Sequence, residues 1–396
     1  MSYTLHTGDS LTVLRTLPEN SVHCCVTSPP YWRMRDYQME GQYGLEPTVE
    51  DYIARQIEVF REVRRLLRKD GTLWLNMGDR YSSGGRGGHA GDVSHRAAHY
   101  SRKNGIIGAN QWQSPPSGFK DKELLGLPWR LALALQADGW WLRSDCIWHK
   151  PNAKPESVKD RPGSAHEYVF LLAKAETYYY DWWAVREPQS ENERTRRLRE
   201  HELGIEREYK IRRDGLTLQP NAGKSGVFRS NVARQKIALT GMRNLRSVWT
   251  IATHGFKDAH FATFPLRLAE RCILAGSSEY GCCSWCGTPW RREFTRARAK
   301  CHSNPELKAR GIHRIGDKDG TYEPPKFTGW RNACPCEMGD IETCTVIDPY
   351  AGAGSTLVAA VRLGRRAIGI ELNPDYAAMA RRRIDAEIAK RAEVTA

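Results

Sequence analysis

Two periods of apolar residues alternate along the first eighty positions. Tyr3-Thr4-Leu5-His6 has the spacing of a short strand and stops at Gly8-Asp9. Leu11, Leu14 and Leu17 then keep helical spacing. His23 to Thr27 is a second strand, closed by Pro29-Pro30. Ile53, Ile57, Phe60 and Leu67 return to helical spacing; Asp70-Gly71 ends that helix, and Thr72 to Met77 forms a third strand. Such alternation predicts a doubly wound α/β fold around a mostly parallel sheet. The pattern then lapses. Residues 80–122 are rich in Gly, Ser and His without a period, and read as a loop insertion. Trp140 to His149 and Glu167 to Ala173 are further strands, and Tyr178-Tyr179-Tyr180 is read as one more. Residues 182–246 are polar, basic and partly helical. Pro265 opens a helix to Ala275 from its first position, where its missing N–H costs nothing. Near the end come a strand (Thr345 to Asp348), a helix (Ser355 to Leu363) closed by Gly364, a strand (Ala367 to Glu371), and a last helix capped by Asn373-Pro374.

Charge adds a partner to this picture. The net charge is +14, and residues 182–246, about a sixth of the chain, hold half of it: 15 Lys/Arg against 8 Asp/Glu. Such an excess favours a polyanion, since each cation that meets a phosphate releases counterions. No apolar run approaches the roughly 18 residues needed to span a bilayer, and no secretory signal is visible, so a cytoplasmic protein is expected. The eleven cysteines divide in two. Cys24, Cys25, Cys146 and Cys272 lie in apolar runs as buried thiols, whereas seven crowd into 282–344. In a reducing compartment such crowding reads as metal binding before disulfides.

Two short segments carry chemistry. Asp348-Pro349-Tyr350-Ala351-Gly352-Ala353-Gly354-Ser355-Thr356 joins a strand to a helix, and glycines there let backbone approach a ligand closely. Glu371 ends the next strand, placed to accept from ribose hydroxyls. Leu357 stands where a dinucleotide fingerprint has its third glycine, which argues against pyrophosphate. The loop suits a ligand with a ribose and a cationic amino-acid tail. Ser28-Pro29-Pro30-Tyr31 follows a strand, so it lies at the carboxyl edge of the sheet where open α/β folds bind ligands. Prolines fix the backbone and leave their carbonyls without local amide partners. Rigid acceptors of this kind can orient an amino group, and an aromatic ring can stack on a base.

Together these segments resemble the amino-methyltransferase family that acts on cytosine N4 or adenine N6. A catalytic motif near the start and a cofactor motif near the end match its permuted beta class. The resemblance implies transfer of methyl from S-adenosylmethionine to an exocyclic nitrogen in duplex DNA, by direct displacement on a flipped base. Ser28, Pro29, Pro30 and Tyr31 then hold the target amine. Tyr31 is the expected stacking ring; Trp32 could serve, or could belong to the core. Serine before Pro-Pro is typical of the family's cytosine N4 enzymes, which favours that base over adenine. Gly8-Asp9 resembles the motif at the adenine end of the cofactor, and His260-Phe261-Ala262-Thr263-Phe264-Pro265 the segment around its methionine portion. Thr27, Leu372 and Asn373 complete the expected cofactor shell. His149-Lys150-Pro151-Asn152, Arg161-Pro162 and His166-Glu167 fit later catalytic motifs. Carbon-5 methylation from Pro335-Cys336 is set aside, because that dipeptide does not follow a sheet strand.

The expected organisation is a catalytic half over 1–181, with a loop insertion at 81–123, and a recognition region over 182–246. The cofactor half comprises 247–276 and 342–396, and a cysteine-rich insertion occupies 277–341. In that insertion Cys283 and Cys286 form a two-residue knuckle, and Cys334 with Cys336 supplies a second pair for tetrahedral zinc. Cys282 could replace Cys283, and Cys301-His302 could replace one partner. Four protein ligands leave no open position, so the zinc would be structural. Arg194, Arg196, Arg197, Arg199, Lys210, Arg212 and Arg213 are the candidate DNA contacts. Double-stranded DNA is the expected partner, with a cognate restriction endonuclease alongside, in a bacterial or phage-infected cell.

Overall fold

A computed structural model describes residues 2–82, 116, 118–189, 242–253, 264–295, 298–299, 322–323, 325–336 and 340–395. They divide into two compact units. The first comprises Met1–Asp181, Arg246–Trp290 and Asn332–Ala396. The cysteine-rich insertion is thus shared: its two ends belong to this unit and its middle to the other.

An eight-stranded sheet organises the first unit. Its strands along the chain are β1 (Tyr3–Thr7), β2 (Val22–Thr27), β3 (Leu67–Met77), β4 (Trp141–His149), β5 (His166–Ala173), β6 (Val248–Thr250), β7 (Thr345–Asp348) and β8 (Arg366–Glu371). Their spatial order is β1-β8-β7-β2-β3-β5-β4-β6. All pairs are parallel except those of β5, which runs antiparallel to β3 and β4. The sheet is therefore mostly parallel, with a single reversed strand. Central position explains composition: every residue of β2 is buried, as a strand covered on both faces demands.

Helices α1 (Ser10–Thr16), α2 (Val49–Leu66), α3 (Leu127–Ala137), α4 (Leu266–Gly276), α5 (Ser355–Arg362) and α6 (Pro374–Thr395) cover the sheet. Several starts show a local feature. Asp9 caps α1 by accepting from the Thr12 amide at 2.8 Å. Thr48 caps α2 by accepting from the Asp51 amide at 3.0 Å, and its hydroxyl donates back to the Asp51 carboxylate at 2.7 Å. The Asp375 amide donates to Asn373 at 2.9 Å, which anchors the entry to α6. Pro265 is the N-cap residue of α4 and stands one place before its first turn. The core gathers Leu14, Tyr52, Phe60, Leu66, Leu73, Leu75 and Phe170, all fully buried.

Two expectations are corrected, and one open alternative is resolved. Helix α2 ends at Leu66, and Asp70-Gly71 lies inside β3. The strand absorbs this turn-prone pair through a register shift against β2 between Val22 and Cys24. Tyr178-Tyr179-Tyr180 is not a strand. Tyr179 is buried and donates one backbone bond to the Asp70 carbonyl at 2.9 Å, so packing accounts for the aromatic run. Trp32 is fully buried and its indole donates to the Glu46 carbonyl at 2.9 Å, which makes it a core residue and removes it as a stacking platform.

The second unit comprises Trp182–Leu245 and Arg291–Arg331. Arg291–Phe294 pairs antiparallel with Phe327–Arg331, and Glu187–Pro188 pairs with Met242–Arg243. Trp182, Trp183 and Phe294 pack ring to ring, as do Phe327 and Trp330. The candidate DNA contacts at 194, 196, 197, 199, 210, 212 and 213 lie outside the described residues. So do Cys301 and His302.

Candidate active site

Strands β2 and β7 are neighbours at the centre of the sheet, with Cys24 opposite Val346 and Cys25 opposite Ile347. Both run the same way, so the loops that leave them emerge side by side. One loop begins Ser28-Pro29-Pro30-Tyr31 and the other Pro349-Tyr350-Ala351-Gly352. Two hydrogen bonds tie these distant stretches together, and a third ties the second loop to α1. The Thr27 hydroxyl donates to Asp348 Oδ1 at 2.6 Å, the Thr356 hydroxyl to the Val26 carbonyl at 3.1 Å, and the Ser10 hydroxyl to the Pro349 carbonyl at 2.6 Å.

The second loop forms a cradle. Gly352 has φ +52° and faces open space where a Cβ would stand. Gly354 has φ +77° and its Cβ would lie 2.9 Å from that of Ala380, so glycine is required there for both strain and packing. Glu371 accepts from the Gly352 amide at 2.7 Å and the Asn373 amide at 2.9 Å. Leu372 and Asn373 are half-buried beside it. Across the entrance the Tyr43 hydroxyl donates to Asp9 Oδ1 at 3.1 Å, and the Tyr43 and Tyr350 rings meet edge to face at 5.5 Å. Ser355 is buried in the first turn of α5. Phe264 and Pro265 lead into α4, which packs on α5. His260 and Phe261 lie outside the described residues.

Asp348 is the focus of this cradle. It is almost fully buried; Oδ1 takes Thr27 and the Tyr350 amide, while Oδ2 has no partner among the described residues. An unpartnered buried carboxylate oxygen fits a ligand that brings a cation or donor. Burial raises its pKa to about 6, against the lowering effect of Thr27, Thr356 and the Tyr350 amide. The folded state therefore holds a proton that the unfolded state has lost, and stability falls as pH rises from about 4 to about 6. Asp348→Asn should remove that fall. Relative to wild type the variant gains about 3 kcal/mol across this range, by 1.36 kcal/mol per pKa unit. Thermal unfolding at several pH values checks this, and a difference that stays constant with pH would contradict it.

The first loop presents acceptors, though fewer than its prolines suggest. The Tyr52 hydroxyl donates to the Pro30 carbonyl at 3.0 Å, so that carbonyl anchors the loop. The Pro29 carbonyl keeps no partner among the described residues. The Ser28 hydroxyl donates to the Tyr31 oxygen at 3.3 Å, and the Tyr31 hydroxyl donates to Glu167 Oε2 at 2.9 Å. Burial first, and then the Glu167 carboxylate, push the Tyr31 pKa well above its usual value, so it remains a phenol. Asn76 of β3 donates to the same Oε2 at 3.1 Å, and the Lys150 ammonium pairs with Oε1. Sequence motifs pointed to Lys150 and Glu167 without a role. Asn76 was missed, although a buried amide within Leu73-Trp74-Leu75-Asn76-Met77 is the available signal.

The four predicted cysteines converge. One sulfur each from Cys283, Cys286, Cys334 and Cys336 lies within 4.8 Å of the others. Cys282 does not substitute for Cys283. The two are consecutive in a short strand, Cys282–Cys283, so their side chains point to opposite faces. Cys282 instead joins His23 and Cys344 in a buried group. There His23 Nδ1 accepts from the Thr345 amide at 3.0 Å, and Nε2 then donates to the Gly287 carbonyl at 2.9 Å. Both ring nitrogens are engaged, which leaves none for a metal. Cys24, Cys25, Cys146 and Cys272 are buried free thiols, as expected.

Fold and site together define a class: an open α/β domain whose glycine cradle lies beside a proline-stiffened loop. Comparison with known proteins names it. A family model described as DNA methylase, of the N6/N4 methyltransferases, matches residues 22–283 and 337–382. The Type II methyltransferase M.Cfr9I of Citrobacter freundii is 36% identical over 384 residues, covering 97% of this chain and 88% of that protein. M.SmaI of Serratia marcescens is 35% identical over 378 residues, covering 95% and 89%. Among solved structures, the cytosine-N4-specific PvuII DNA methyltransferase is similar in fold, with a TM-score of 0.51 and 16% identity over 97% of this chain and 86% of that one. The chain belongs to the N6/N4 family of DNA methyltransferases. Among the described residues no helix is long and apolar enough to cross a membrane.

Proposed function

We propose that the chain methylates the exocyclic N4 of cytosine in duplex DNA, with S-adenosylmethionine as methyl donor. One observation carries the reading: the Thr27–Asp348 hydrogen bond at 2.6 Å fastens the Ser28 loop beside the glycine cradle. The cofactor would supply an electrophilic methyl group on a sulfonium. Asp348, Gly352, Gly354 and Glu371 would hold it, and the buried, unpartnered Asp348 Oδ2 is what fits such a cationic ligand.

The chain's own residues then act on the base. An amino nitrogen conjugated to a ring is a poor nucleophile, so its lone pair must be turned out of conjugation toward the donor. Ser28 Oγ and the Pro29 carbonyl are acceptors that can grip its two N–H bonds. The target lies within a stacked duplex, so it must be flipped out, and the half-buried Tyr31 ring offers a face for it. No covalent enzyme intermediate is needed. Serine before Pro-Pro supports cytosine over adenine, by the family pattern. Residues 182–246, the most basic segment, are assigned to sequence recognition, and zinc to the four converged cysteines. Nucleoside analysis and modification-sensitive sequencing of DNA from a host expressing the chain test this together. N4-methylcytosine in one sequence context is expected. N6-methyladenine alone would overturn the choice of base, and methylation without sequence context would remove the recognition role.

A further inference from the structure

A carboxylate stands behind the acceptor loop with no part in holding either ligand. Glu167, on β5, is fixed from three sides: Lys150 on Oε1, and Asn76 at 3.1 Å and Tyr31 at 2.9 Å on Oε2. Its surroundings are built for it. A Cβ on Gly78 would lie 2.9 Å from the Tyr31 ring and 3.2 Å from the Glu167 side chain, so glycine alone lets the two meet. Lys150 is further held over the Trp148 ring at 4.4 Å.

Direction is the informative property of this chain of bonds. Glu167 Oε1 pairs with the Lys150 ammonium, and Oε2 accepts from the Tyr31 hydroxyl. The Tyr31 oxygen is then free to accept, and Ser28 donates to it at 3.3 Å. The lone pairs of Ser28 Oγ are thereby left for an incoming amine. Aligned bonds of this kind polarise one another, so the carboxylate strengthens Ser28 as an acceptor across two residues.

We propose that Glu167 is a positioning residue that orients the Ser28–Tyr31 pair and receives, through it, the proton released by amino methylation. This rests on the amino-methyltransferase reading above. As the nitrogen–carbon bond forms and the sulfur–carbon bond breaks, positive charge moves from sulfur to nitrogen. The nitrogen returns to neutrality by passing its proton to Ser28 Oγ. The serine proton passes to the Tyr31 oxygen, and the tyrosine proton to Glu167 Oε2. Serine and tyrosine end as they began, the base is neutral, and Glu167 is a carboxylic acid that later loses its proton to water. The Lys150 ammonium is unchanged throughout.

Glu167→Gln tests this, since an amide oxygen still accepts from Tyr31 but cannot take up the proton. Three measurements are made on the full chain: single-turnover methyl transfer, duplex affinity, and 2-aminopurine fluorescence at the target position without methyl donor. The expected result is a rate lower by about 100-fold, the scale of a lost proton acceptor. Duplex affinity and the fluorescence of the flipped base should be unchanged. The double variant E167Q/Y31F should be no slower than Y31F, because one path is cut only once. A near-wild-type rate for E167Q, a parallel loss of base flipping, or additive effects in the double variant would each overturn the proposal. A wild-type chain that flips the base but never methylates an amino group would defeat the underlying reading, and this inference with it.

Discussion

Ser28→Ala is expected to lower the single-turnover rate of methyl transfer by about 100-fold or more, with affinity for S-adenosylmethionine unchanged. The expectation follows from the division of labour in the site. Ser28 Oγ is the acceptor whose lone pairs the Tyr31–Glu167 chain leaves exposed, and its hydroxyl donates only to Tyr31. It takes no part in the cradle, where Thr27 and the Tyr350 amide hold Asp348. Removing the hydroxyl therefore strips one grip from the target nitrogen and disturbs nothing that binds cofactor. The loop itself should survive, because the Tyr52 hydroxyl on the Pro30 carbonyl anchors it independently. A loss confined to the rate at saturating DNA identifies an interaction made in the transition state. Equal weakening of cofactor binding by calorimetry would show that the two loops are not separate in function.

The proposed zinc predicts the other large effect, on the fold. Four sulfurs within 4.8 Å, three of them on half-buried residues, have little apolar packing to hold them. Zinc bound by four thiolates supplies about 10–16 kcal/mol in small domains, most of it spent on ordering the ligands' own segments. Strong chelation, or the double variant C283S/C286S, should expose residues 277–290 and 332–344 to protease. It should also lower the melting temperature by about 10 °C, since a few kcal/mol at a few degrees each reaches that size. The purified chain should carry one equivalent of zinc, and well under one would remove the assignment.

Strand and helix positions were legible where one force dominated. His23 to Thr27 and Thr345 to Asp348 read as strands because each has short, β-branched or apolar residues at its centre, and sheet burial covers the whole run. Asp70-Gly71 misled because local turn preference lost to pairing: β3 continues through the pair by a register shift. The tyrosine run at 178–180 misled because aromatic residues serve burial as readily as pairing. Among site residues, Asp348, Gly352, Gly354 and Glu371 were legible from the spacing of glycines and acids. The Ser28–Tyr31–Glu167 chain was not, because its members stand 136 positions apart and meet only through the antiparallel pairing of β3 with β5. The separation of Cys282 from Cys283 was available from strand alternation, yet only a known strand makes that rule usable.

The middle of the sheet has a history written into its order. Thr27 and Asp348 are 321 positions apart, and β2 has β7 as one of its two neighbours. During synthesis β2 emerges long before that neighbour exists, with a strand destined for full burial and one edge of unpaired peptide groups. Such an edge invites a second nascent chain or a chaperone until the late strand arrives. A long-exposed strand edge is thus a cost of building a sheet's centre from opposite ends of the chain.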